Sequence, residues 1–100
     1  MRTLALVSVL LCTPVLAAPH CTILRDGHGH IARSAAAKNQ FKRGHPCPAN
    51  GHRSGACPGY VIDHIQPLCA CGKDAAENMQ WQNLAASRAK DILERRMCAL

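Results

Sequence analysis

The sequence predicts a small α+β domain stapled by disulfides, and three observations predict it. A β-branched run, YVIDHI at 60–65, stops at Gln66-Pro67, where the missing proline N–H ends a strand ladder. A second strand-like segment, NMQWQ at 78–82, leads into a helical pattern over 84–97. Six cysteines, Cys21, Cys47, Cys57, Cys69, Cys71 and Cys98, follow an N-terminal segment of secretory type, and an even count in an oxidising compartment favours disulfides.

The N-terminal segment is MRTLALVSVLLCTPVLAAPH. One Arg, an apolar run over 4–15 and then small residues make a signal-peptide pattern, with 1–17 removed and the mature chain starting at Ala18. The apolar run is shorter than the ~20 residues a spanning helix needs, so no stable membrane anchor is expected. The remaining 18–100 form a single domain, secreted or periplasmic. A chain of that size buries a small core and needs staples. Only Phe41, Tyr60 and Trp81 are aromatic. Structural zinc is disfavoured, because Cys69-Ala70-Cys71 is tighter than a zinc knuckle. Without Arg2, 11 Lys and Arg face 6 Asp and Glu. That excess suits a polyanion or an anionic surface.

Within the domain, CTILRDGHGHIAR at 21–33 predicts a hairpin turning at Asp26-Gly27. His28 and His30 belong to that turn, and no third ligand accompanies them. Ser34 caps a short basic helix over 34–44, which Gly44 terminates and Phe41 anchors. The Pro- and Gly-rich stretch 45–59 is a loop, held shut by a Cys47–Cys57 bridge. Trp81 is the expected core residue of the second strand. Ala85, Ala89, Ile92 and Met97 are the expected core face of the last helix, with Ser87, Lys90, Asp91 and Glu94 on another face. Cys98 is expected to return to Cys69 or to Cys71, with Cys21 taking the other. A Cys69–Cys71 bridge would be strained.

The order from Tyr60 is strand, Asp63-His64, loop, Asn78, strand, helix with Lys90. The segment YVIDHIQPLCACGKDAAENMQWQNLAASRAKD resembles the core of the HNH endonucleases, in particular small secreted bacterial HNH proteins. The stretches RSAAAKNQFKRGHPCPANG and GACPGYVIDH resemble what precedes that core, so the likeness spans about 31–94. It implies a ββα-metal core and a metal-dependent endonuclease with little sequence specificity. His64 is the implied general base, and neutral imidazole suits that role near pH 7. Asp63 is the implied ligand of a divalent metal, Mg²⁺ first, with Mn²⁺ or Zn²⁺ as alternatives. Asn78 matches the middle Asn, whose work is to fix the loop that aims the base. Nine residues beyond it the family places His or Asn, and this chain has Ser87, with Asp91 one helical turn further on. Lys90 and Arg88 are implied phosphate contacts. The implied partner is DNA, with RNA as the alternative, and the chain is expected to be a monomer. The competing readings are a catalytically weakened nucleic-acid-binding module and a basic disulfide-rich toxin.

Overall fold

The computed structural model describes residues 4–12 and 21–98 of the 100-residue chain. Residues 4–12 carry no helix or strand, and the cleavage site expected before Ala18 lies outside the described residues. Among the described residues no helix is long and apolar enough to cross a membrane. The architecture is α+β: two helices and one two-stranded antiparallel sheet, tied by three disulfides.

Helix α1 spans Ala35–Gly44. Ser34 caps it, its hydroxyl accepting from the Ala37 amide at 3.1 Å, which satisfies one of the free N–H groups of the first turn. The helix does end at Gly44, but no left-handed glycine stops it. His45 closes it in extended backbone, returning its N–H to the Phe41 carbonyl at 2.9 Å and stacking its ring on Phe41 with centroids 4.5 Å apart. Phe41, 2 % exposed, is the centre of the core. Burying such a side chain contributes about 1.5–3 kcal/mol. Around it pack Ala37 and Met79, with Ile62, Ala76 and Trp81 at the margin.

The sheet pairs β1, Tyr60–His64, with β2, Met79–Asn83. Its register sets Ile62 opposite Trp81, Asp63 opposite Gln80 and His64 opposite Met79. Met79, not Trp81, is the fully buried residue of β2; Trp81 is half-buried, because its indole N–H is drawn to the His45 carbonyl at 2.9 Å. Two 3₁₀ turns, Leu68–Ala70 and Ala76–Asn78, shape the connection between the strands. Gly72 is required there: a Cβ would collide with the backbone carbonyl of Gln66. Cys71 takes a left-handed φ of 66°, unusual for a non-glycine residue, at the end of the first turn.

Helix α2 spans Leu84–Met97, with Asn83 capping the Ala86 amide at 2.8 Å. The expected core face is overturned. Ala85 and Ala89 are exposed, Ile92 is 57 % exposed and Met97 63 %. The partly covered positions are Ala86, Ser87, Lys90 and Glu94, also at helical spacing. Hydropathy alone chose the wrong face because β1 offers α2 the carboxylate of Asp63.

The bridges are Cys47–Cys57, Cys21–Cys71 and Cys69–Cys98. The first closes the 45–59 loop as expected, and the others resolve the choice between Cys69 and Cys71. In the chain-entropy account, bridges over separations of 10 and 50 residues contribute about 3 and about 4 kcal/mol. The expected N-terminal hairpin is reduced to one antiparallel bridge, Arg25 with Ile31, around a turn in which Asp26 accepts the amides of His28 and His30. Gly29, at φ 78°, makes the left-handed step.

Candidate functional site

Asp63 and His64 are neighbours on a strand, so their side chains leave on opposite sides. His64 is buried, 8 % exposed, and its ring Nε2 lies 3.0 Å from Asp74 Oδ1. The other Asp74 oxygen accepts the Ser34 amide at 2.6 Å, so the carboxylate joins the start of α1 to the imidazole. An ionised carboxylate beside Nε2 calls for a proton on that nitrogen, which leaves Nδ1 with the lone pair in the neutral ring. Asp74 is present in the HNH-like segment without a role assigned to it, because a place ten residues after His64 carries no periodic signal.

Asp63 turns toward α2. Its Oδ2 accepts from Lys90 Nζ at 2.7 Å and from Gln80 Nε2 at 3.0 Å. Lys90 also donates to the His64 carbonyl and pairs with Glu94 Oε1 at 2.8 Å. Burial by itself disfavours the ammonium, but hydrogen bonds and charge attraction from Asp63 and Glu94 outweigh it, holding Lys90 above the ordinary lysine value. Gln80 is legible only from the register, as the cross-strand partner of Asp63.

Asn78 ties the connecting loop. Its Oδ1 accepts the Gln66 amide at 2.9 Å, and its Nδ2 donates to the carbonyls of Gln66 at 2.9 Å and Lys73 at 2.8 Å. The Ile65 amide donates to the Asn78 carbonyl at 2.8 Å. One side chain thus clamps the chain just after His64 to the chain just before Asp74.

A concavity of about 250 Å³ brings several of these residues together. Asp63, His64, Ser87, Asp91 and Glu94 line it, with Arg33 and Lys38 on the α1 side. Lys90 does not line it and reaches its wall through Asp63, Glu94 and the His64 carbonyl. Arg88 is exposed and does not line it. A larger cavity of about 420 Å³, mostly apolar, lies under the N-terminal turn and touches Asp74.

The arrangement is a buried imidazole held by a carboxylate, in a cleft with acidic and basic walls. No family model, curated protein or solved structure matches the chain.

The donors suit a hard cation in kind: three carboxylates and a hydroxyl face one space. In arrangement, the Lys90 ammonium already holds Asp63 Oδ2, and no three His, Cys, Asp or Glu side chains among the described residues are grouped to hold an ion. An ion at Asp63 Oδ2 therefore competes with the Lys90 ammonium and the Gln80 amide for that oxygen.

Proposed function

We propose that the chain is a secreted, HNH-type endonuclease that hydrolyses DNA phosphodiesters with little sequence specificity, with RNA as the alternative substrate. The observation that carries this reading is the buried His64, held by Asp74 from behind and lining a cleft whose rim holds Arg33 and Lys38. The β1–loop–β2–α2 order and the Asn78 clamp support a ββα-metal core. Three disulfides suit an oxidising compartment.

In this reading water attacks phosphorus as His64 Nδ1 takes its proton. The new O–P bond forms, the P–O bond to the leaving sugar oxygen breaks, and that oxygen takes a proton from solvent. Asp74 keeps the ring aimed and stabilises the imidazolium. Arg33 and Lys38 offset the charge of the phosphate. A divalent cation, Mg²⁺ first and Mn²⁺ or Zn²⁺ otherwise, would be held by Asp63 with Asp91 or Ser87, and would polarise the phosphate and relieve charge on the leaving oxygen.

The test is plasmid nicking by oxidised protein with each metal and with chelator. Nicking is expected with metal, falling about 10²–10⁴-fold in His64→Ala, the usual range for losing a general base. Asp74→Asn should lose a smaller part and change the pH–rate profile. Binding without nicking under every metal overturns the enzyme. It would leave the second reading, a nucleic-acid-binding module, which the Lys90 hold on Asp63 favours.

A further inference from the structure

A second concavity, of about 300 Å³, adjoins the His64 cleft and shares Lys38, Val61 and Ile62 with it. Its remaining walls include Lys42, Tyr60 and Trp81. Lys38 and Lys42 are one helical turn apart on α1, both half-buried. Neither has a carboxylate partner among the described residues, and α1 has no acid in its first turn. Lys42 donates to the Gly55 carbonyl at 2.9 Å, which fixes the ammonium without neutralising it. Trp81 is equally fixed, by its bond to the His45 carbonyl and by Phe41, with ring centroids 5.5 Å apart. Two uncompensated cations and two aromatic rings thus line one hollow beside the proposed reacting centre.

We propose that this hollow is a nucleotide subsite, in which an unstacked base lies against Tyr60 and Trp81 while Lys38 and Lys42 hold the backbone phosphates. The proposal rests on the nuclease reading only for the position of the scissile bond. Its volume is at the small end of ligand sites, ~300–1,000 Å³, enough for one nucleotide and too narrow for a duplex. Stacking of this kind accepts any base, since every base has a π-face. Bases in a duplex are already stacked and paired. The subsite therefore selects single strands, or strand ends that have opened, and the chain binds them in preference to intact double helix.

Trp81 is the sole tryptophan of the chain and reports directly on the subsite. Oxidised wild-type protein in EDTA is titrated with the single-stranded dodecamer dT12 and, separately, with a 12-base-pair duplex, following Trp81 fluorescence and, with labelled strands, anisotropy. The expected result is a fluorescence change with dT12 and affinity at least about tenfold above the duplex. Lys38→Gln/Lys42→Gln should flatten the slope of log K against log salt by about 1.4, from about 0.7 per phosphate contact on a single strand. Tyr60→Leu, which keeps apolar bulk in β1, should weaken dT12 about tenfold, within the range for one stacked base. Equal affinity for duplex, binding that leaves Trp81 unchanged, or an unchanged salt slope in the double variant each overturn the subsite. Because these are binding measurements, dT12 binding without nicking rejects the nuclease and keeps the subsite, whereas nicking with no Trp81 response does the reverse.

Discussion

Helices α1 and α2 flank the same strand pair, yet opposite physics holds them. α1 turns Phe41 and Ala37 into the core and leaves its lysines without acidic partners among the described residues. α2 has no fully buried residue; it docks through the bonds of Lys90 to Asp63 and to the His64 carbonyl and through the Cys69–Cys98 bridge at its end. The consequence is functional. The ammonium of α2 nearest the cleft is held by Asp63 of β1 and by Glu94, so on the proposed reading the charge for a phosphate comes from Arg33 and from Lys38 of α1. A lysine's usefulness to a polyanion depends on who else is within reach of it, which its position in the chain does not tell.

The largest effect that bears on this contrast is Phe41→Ala. It should destabilise the oxidised protein by about 3–5 kcal/mol, the usual cost of deleting a core aromatic, read from the urea midpoint. A cost under ~1 kcal/mol would mean that the disulfides alone hold α1 and would break the comparison. Next comes Lys90→Met, which leaves Asp63 and Glu94 facing each other without a cation. About 1–3 kcal/mol should be lost, since these side chains are mostly buried. The same variant leaves Asp63 Oδ2 with the Gln80 amide alone, so Mn²⁺ binding measured by calorimetry should tighten rather than weaken.

The pH dependence sharpens the point. The folded pKa of Lys90 is raised above the unfolded value of 10.5. Its stabilising contribution is therefore full below that unfolded value and is lost as pH rises through the higher folded one. The difference in urea midpoint between wild type and Lys90→Met should stay level from about pH 7 to about 10 and shrink above that. A difference that shrank already at neutral pH would show that another group holds α2. The smallest effect belongs to Ile92→Ser. Ile92 is 57 % exposed, so its loss should stay within about 0.5 kcal/mol. A cost above about 2 kcal/mol would restore Ile92 to a buried face.

Much of the local structure was legible in advance. Ser34 announced the start of α1, Pro67 the end of β1, and residues 84–97 the whole of α2, because caps, breakers and helical propensity act within a few residues of themselves. Cys47 and Cys57 could be paired because a short Pro- and Gly-rich loop leaves them near each other. Choices that depend on distant chain were not legible. Cys98 could meet either Cys69 or Cys71 until the fold set Cys71 against Cys21. The inward face of α2 was misread because hydropathy cannot register a carboxylate arriving from another strand.

The sequence by itself determined the two helices, the two paired strands and their order, the cysteine-rich character and the prominence of Asp63, His64 and Asn78, all carried by local propensity and motif. Only the tertiary structure decided that Asp74 holds His64, that Lys90 occupies Asp63 and that Lys38 and Lys42 lie beside Tyr60 and Trp81 without a carboxylate partner among the described residues. The first two are pairings across 10 and 27 residues of chain. They are set by which surfaces the buried Phe41 and the three bridges bring together, and no periodicity in the sequence encodes that.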